Sequence, residues 1–171
     1  MADTITLAWG TPLIEALALS DTNKAWKKFP TPAEGTTTLN VTQGEKMEAK
    51  IEGGTNEAVK YKANTYQLVF NIRQANDRTV MDDFIKDKDG VVEGEYAIRI
   101  TPENSAAVHA LIRRASVNVQ LNYTPADGWT KIYTFDALKP TDAEDGTYVP
   151  QVAIGAKASI TDWNMGVTAA A

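Results

Sequence analysis

The sequence predicts a mostly β fold: a single-domain β-sandwich or small barrel with one or two short helices and one long projecting hairpin. Apolar residues recur at every second position in several segments, as expected for strands that bury one face. Turn residues separate these segments, and helical spacing of apolar residues occurs at only two places. The chain has 171 residues, of which 43% are hydrophobic and 23% charged, a composition typical of one globular domain over residues 1–171.

The N-terminal part holds two strand candidates. In residues 5–9, Ile, Leu and Trp alternate with Thr and Ala, which predicts a short first strand. Residues 13–19 are compatible with a strand or a helix, and the preceding Pro12 together with the polar residues that follow favours a strand. A long surface connection is expected to run through Phe29–Pro32.

Residues 41–63 differ from the rest because they carry charges of both signs in nearly equal number, with Gly53 and Gly54 near the middle. Apolar and charged residues alternate over 47–52, which predicts a long hairpin projecting from the body with its tip at the two glycines. An isolated hairpin is marginally stable in water, so a partner is expected to cover its apolar stripe. A solvated hairpin without a role is the alternative. The predicted assembly contact consists of Met47, Glu48, Ala49, Lys50, Ile51, Glu52, Lys60 and Lys62.

The clearest strand pattern lies in residues 65–73, and similar alternation predicts strands over 92–101 and 117–123. Asp127-Gly128 marks a hairpin turn after the last of these, because glycine accepts a positive φ. The partner strand is expected over 129–138, ended by Pro140.

The C-terminal region is predicted to contain one more strand within 149–163, with Val152, Ile154, Ala156, Ala158 and Ile160 on one face. Residues 168–171 are predicted to form a loose tail.

Two segments have helical spacing. Residues 76–88 can form a short helix with Val80, Phe84 and Ile85 on one side. Residues 103–114 are the stronger helix prediction, because Pro102-Glu103 is a favourable start and apolar residues follow at 108, 111 and 112.

Composition argues against several classes of function. The chain has no cysteine, which excludes disulfides, thiolate nucleophiles and Cys-ligated zinc. Its formal net charge of −5 argues against specific nucleic-acid binding, because phosphate contacts need clustered Lys and Arg. The first residues lack the basic and apolar runs of a signal peptide, and no apolar run is long enough to span a membrane. We therefore expect no membrane association.

Residues that could support catalysis are few. His109 is the only histidine, and Ser105 would lie one turn before it on the predicted helix, but an ordinary packed or surface histidine is the favoured interpretation. Glu93 and Glu95 would share one face of a strand at a spacing near that of glycosidase carboxylates. A solvent-facing strand, with Arg99 further along the same face, explains this pair better.

The loop 87–90, Asp-Lys-Asp-Gly, departs from the calcium-binding EF-hand pattern at two positions. A tight turn before the next strand explains this loop. No catalytic residue, metal ligand or cofactor site is predicted, and the chain is expected not to be an enzyme.

The order of several segments resembles a family of tail-tube-type virion proteins from phages and prophages of Bacteroides-like bacteria. The resemblance spans most of the chain, and its matching strings are structural. They are Trp26 with Phe29–Pro32, Thr36–Leu39, Glu48–Lys50 with Glu52–Gly54, Asn64–Tyr66 with Leu68 and Phe70, Gly90–Val92 with Gly94, Tyr96–Glu103, and Tyr133–Pro140.

This resemblance implies a β-sandwich or barrel body that assembles with itself. Six copies would form a ring, and stacked rings would form a tube through which DNA passes. The protein would be made in the bacterial cytoplasm and reside in the virion with other virion proteins.

Other classes stay open at this point. They are another head–tail joining or tail-terminator structural protein, a carbohydrate-binding or adhesin-like sandwich that uses exposed aromatic residues, and a small enzyme built on Glu93 and Glu95.

Overall fold

The computed structural model describes residues 5–76 and 80–167, and only the backbone of Val80 and Met81. These residues form twelve strands, one helix α1 (Val80–Phe84) and one 3-10 turn (Lys157–Ser159). The strands are β1 (Leu13–Ala18), β2 (Lys27–Lys28), β3 (Thr38–Thr42), β4 (Lys46–Lys50), β5 (Asn56–Tyr61), β6 (Thr65–Arg73), β7 (Asp87–Lys88), β8 (Val91–Val92), β9 (Tyr96–Thr101), β10 (His109–Thr124), β11 (Gly128–Ala137) and β12 (Val152–Gly155). Within the described ranges, no helix is long and apolar enough to cross a membrane.

The main sheet is antiparallel and runs in the order β2-β1-β9-β10-β11-β6-β3. Strand β10 is its centre: the first half pairs with β9 and β12, and the second half pairs with β11 and β8. The register with β9 shifts between Ile112 and Ala115, and such irregularities bend a strand. One strand therefore contributes to both halves of the sheet.

The two ends of this sheet face each other across one hydrophobic core. Phe29, just after β2, is 2% exposed and its backbone N–H donates to the carbonyl of Ile14 in β1 at 2.9 Å. Its ring lies 4.9 Å from that of Phe70, 5.1 Å from Tyr133 and 6.2 Å from Phe135, all edge-on. This packing joins β1 to β6 and β11, so the prediction of a mostly β sandwich is confirmed.

A second, smaller core lies under the C-terminal segment, where Trp163 packs with Leu111 of β10. The Arg99 guanidinium lies 4.1 Å from the ring centre of Trp26 and 5.3 Å from that of Trp163. Arg99 also donates to Glu15 at 3.2 Å and to the carbonyl of Trp163 at 3.2 Å. Cation–π contacts and charge-assisted hydrogen bonds thus hold the segment after β12 against the sheet.

The predicted helix over 103–114 is wrong. Residues 102–108 form an irregular turn, and the chain enters β10 at His109. The helical spacing arose because Leu111 and Ile112 are both buried but on opposite faces of the sheet, in the small and the main core respectively. Strands β9 and β12 supply hydrogen-bond partners on either side, and such tertiary contacts outweigh the preference of a short isolated helix.

The predicted strand over residues 5–9 is also wrong, because these residues pair with no strand in the described part of the chain. For residues 13–19 the favoured strand is confirmed as β1. The predicted strand over 92–101 is divided at Gly94, which has φ +87°. The predicted strand within 149–163 shortens to β12, where Val152 is buried while Ile154 is exposed.

The strongest patterns are confirmed. Residues 65–73 are β6, and β10 and β11 form a hairpin whose turn ends at Gly128, with φ +69°. The helix predicted within 76–88 is confined to α1 in the described residues, and Ile85 after it is 1% exposed. The predicted C-terminal tail, 168–171, lies outside the described residues.

Candidate assembly interface

The projecting hairpin forms a two-stranded sheet of its own, separate from the main sheet. Strands β4 and β5 pair antiparallel from Lys46–Tyr61 to Lys50–Asn56, with one irregularity after Ala49. Every residue of both strands is exposed. We call β4, β5 and the tip between them, residues 46–61, the arm; residues 41–42 belong to β3 instead.

The cross-strand register defines the two faces of the arm, because directly opposed residues point to the same side. Met47 is opposite Lys60 and Ala49 is opposite Ala58, whereas Glu48 is opposite Val59. The alternation of Met47 and Ala49 with Glu48 is therefore confirmed. Lys60 lies on the same face as Met47 and Ala49.

Val59 and Tyr61 extend the candidate interface beyond the residues predicted from sequence. They lie on the face of Lys46 and Glu48 and are 45% and 52% exposed. Their alternation with Ala58 and Lys60 is visible in the sequence and could have identified them. Both faces of the arm consequently combine apolar and charged groups.

The tip reverses direction through a tight turn. The N–H of Ile51 donates to the carbonyl of Thr55 at 3.0 Å, and Gly54 donates back to Ile51 at 3.1 Å. Gly53 and Gly54 have φ +98° and +84°, values that favour glycine. The predicted tip position is confirmed, and Ile51 and Glu52 lie in the tip rather than in a strand.

Three of the five predicted charged residues, Glu48, Lys50 and Lys62, are already paired within residues 45–62. Glu48 accepts from Lys46 and pairs with Lys50 at 3.5 Å, while Lys62 pairs with Glu45 at the base. The hydrogen bond from Lys46 lowers the pKa of Glu48 below its ordinary value. Lys60 has no acidic partner among the described residues, which makes it available to a neighbour.

The base of the arm is a close approach of two backbone segments. The carbonyl of Glu45 accepts from the N–H of Lys62 at 2.9 Å, and the N–H of Gly44 donates to Asn64 Oδ1 at 3.0 Å. A Cβ at Gly44 would lie 2.0 Å from the carbonyl oxygen of Lys62 and 2.6 Å from that of Ala63. Only glycine fits there, so this contact sets the direction in which the arm leaves the body.

We expect Gly44→Ala to displace the arm without unfolding the body. The added methyl group meets backbone, which cannot rotate away, so the two segments must separate. Hydrogen exchange should rise in β4 and β5 while the melting temperature changes by only about 1–3 °C. Ala58→Ser is the matched control, because it also adds a single heavy atom but at an exposed position of β5. Equal exchange in both variants would contradict this role of Gly44.

The structure does not place His109 in a catalytic arrangement. It lies in β10, is 1% exposed, and its Nδ1 is 2.8 Å from the carbonyl of Ala107. Its ring packs edge-on against Trp163 at 5.3 Å. In the described part of the chain, no hydrogen bond joins it to Ser105 in the preceding turn. His109 is thus a packed core histidine, in agreement with the interpretation favoured from the sequence.

Glu93 and Glu95 flank the bend at Gly94 and do not share a strand face, so that expectation is wrong. Glu95 accepts two hydrogen bonds from Arg114 at 2.6 and 2.7 Å, and these lower its pKa. Glu93 pairs with Lys88 at 3.6 Å, and Arg99 binds Glu15 instead.

The 87–90 loop is the predicted tight turn. Asp87 Oδ2 accepts from the N–H of Gly90 at 3.2 Å. Across residues 5–76 and 80–167, no group of three or more His, Cys, Asp or Glu residues is arranged to hold a metal.

The architecture is similar to that of a chain in the cryo-EM structure of the anti-feeding prophage (AFP) baseplate, which is 6-fold symmetrised. The TM-score is 0.50 at 14% sequence identity, and the match covers 92% of this chain and 99% of that chain. No family model and no curated protein matches the sequence. The likeness therefore establishes a shared fold over nearly the full length of both chains.

Proposed function

We propose that this chain is a structural subunit of a phage tail or a related particle, and specifically a tail-tube subunit. Copies would join into hexameric rings, and rings would stack into a tube. The observation that carries the proposal is the arm: an ordered hairpin exposed along both strands on a body whose fold is shared with a baseplate chain. An exposed hairpin with apolar residues on both faces is best explained by a partner that covers it.

The distribution of charge supports self-assembly. Glu57 and Lys60 are both exposed on β5, and a surface with both signs can meet its own copy without repulsion. The net charge of −5 suits a tube that lets DNA pass without retaining it, because phosphates are repelled by acidic surfaces. In this role the protein is not an enzyme, needs no cofactor, and resides in the virion with other virion proteins.

A second candidate is a carbohydrate-binding or adhesin-like module. Tyr123 and Trp129 are each 54% exposed at the turn end of the β10–β11 hairpin, with ring centres 5.0 Å apart. Exposed aromatic rings of this kind can stack on a sugar face. Head–tail joining and tail-terminator roles remain alternatives within the structural class.

Imaging of the concentrated protein tests the proposal. We expect negative-stain micrographs to show rings with six-fold symmetry, and short stacks of rings as concentration rises, because weak repeated contacts respond to mass action. A protein that stays monomeric at the highest attainable concentration would contradict self-assembly. Rings that never stack would instead favour a terminator or joining role.

A further inference from the structure

Residues 5–9 have the composition of a strand but not its hydrogen bonds. Ile5, Leu7 and Trp9 are 79%, 48% and 78% exposed. Within the described chain, no backbone hydrogen bond joins residues 5–9 to another backbone group. A segment with large apolar residues at alternate positions, the pattern of a strand, is therefore left without a sheet.

The outer edge of β3 is an unpaired sheet edge. Strand β3 pairs with β6 on one side and, among the described residues, with nothing on the other. Its Leu39 packs against the main core, whereas Val41, two positions on, is 52% exposed. A free edge of this kind presents backbone donors and acceptors to any added strand.

We propose that residues 5–9 of one copy add as a strand to the outer edge of β3 in a second copy. The added strand would place Ile5, Leu7 and Trp9 on the same face as Leu39 and Val41, because side chains alternate across a strand. The apolar layer that ends at Val41 would then continue into the neighbour. This inference rests on the self-association in the proposed function and names the contact that produces it.

Length favours β3 over the other edges of the main sheet. Strand β3 has five residues, whereas β12 has four and β2 and β7 have two each. Main-chain pairing combined with alternate apolar side chains is an established mode of peptide recognition.

The contact joins two different surfaces of the same chain. Such a heterologous contact leaves each copy with one free donor segment and one free acceptor edge, so that further copies can add. It closes into a ring when the rotation between copies permits. The contact is separate from the arm, whose strands pair only with each other.

Single cysteines test the contact directly, because the chain has none of its own. A tagged variant carrying Ile5→Cys, Leu7→Cys or Trp9→Cys is mixed with an untagged Val41→Cys variant under mild oxidation. A tagged–untagged disulfide can form only between two molecules. Thr6→Cys and Ala8→Cys are the matched controls, since they lie on the opposite strand face. We expect about tenfold more mixed disulfide at one of positions 5, 7 and 9 than at positions 6 and 8, because only the residue directly opposite position 41 has the Cα separation a disulfide needs.

The same series separates this inference from the proposed function. Rings in the wild type together with equal cross-linking at odd and even positions would overturn strand addition and leave ring assembly standing. If the cysteines in residues 5–9 cross-link preferentially to Ile154→Cys on β12 or to Val59→Cys on the arm, addition to β3 is likewise overturned and ring assembly stands. A disulfide within one chain of a Leu7→Cys/Val41→Cys double variant, without mixed dimers, would also overturn it. If the mixed disulfide favours an odd position in residues 5–9 but no rings form, strand addition is supported and the proposed tube-forming function is contradicted.

Discussion

Replacing the arm by a short Gly-Ser linker between Glu45 and Lys62 is expected to abolish ring and tube formation while the body stays folded. The two ends are already adjacent, because the N–H of Lys62 donates to the carbonyl of Glu45 at 2.9 Å, so a short linker closes the gap. No arm residue belongs to either core. The free energy of unfolding should therefore change by no more than about 1 kcal/mol. Chemical denaturation measures the folding, and sedimentation velocity with negative-stain imaging measures the assembly.

Point variants distinguish the apolar contribution of the arm from its charges. Met47→Ser combined with Ile51→Ser removes two side chains that are 52% and 50% exposed and should weaken assembly about tenfold or more, because each would lose burial in the interface. Glu57→Gln keeps the size of its side chain and should have a much smaller effect, since exposed charge pairs contribute little. If the protein without the arm assembles fully, the arm is not part of the interface. Loss of the fold would show that it stabilises the body.

Phe29→Ala is expected to lower the free energy of unfolding by a large fraction of its total. The ring contacts Phe70, Tyr133 and Phe135 from between the two halves of the sheet. Truncation of a buried phenylalanine leaves a cavity and costs about 3–5 kcal/mol of unfolding free energy. This loss approaches the whole stability of a marginal domain, so the variant should be partly unfolded at about 37 °C. Urea denaturation monitored by circular dichroism provides the measurement.

Tyr148→Ala is the matched control for this prediction. Tyr148 is 64% exposed and is in cation–π contact with Lys139, so its truncation should change stability by no more than about 1 kcal/mol. If Phe29→Ala were as mild as Tyr148→Ala, the two halves of the sheet would not depend on Phe29 for their packing.

The spacing of apolar residues was sufficient to predict those strands that have one buried face and one exposed face. In β6, Leu68, Phe70 and Ile72 alternate with more exposed residues. The same holds in β10 from Ala115 to Val119, beyond which Leu121 and Tyr123 are exposed. The arm was predicted because its mixed charges and glycine pair are local features of the sequence. Which residues share its faces was only partly predictable, because the position of Lys60 depends on the register between two strands.

The candidate catalytic pair, Glu93 and Glu95, shows a second limit of prediction from sequence. Glu93 and Glu95 satisfied the period of a strand, but Gly94 bends the chain between them. Arg114, nineteen positions further along, binds Glu95. Spacing along a chain cannot reveal such a distant partner, and that partner makes Glu95 part of a surface ion pair.

Composition and the alternation of apolar and polar residues determined that this chain is a mostly β protein with a projecting hairpin. A strand that buries one face has apolar residues at every second position, so the sequence itself shows the pattern. Only the tertiary structure decided which extended segments became strands, because each strand needs a neighbour to complete its backbone hydrogen bonds. Leu111 and Ile112 entered β10 since β9 and β12 lie on either side and a core lies on each face. Residues 5–9 alternate as clearly but have no neighbouring strand within the described chain, so they form no strand and stay exposed.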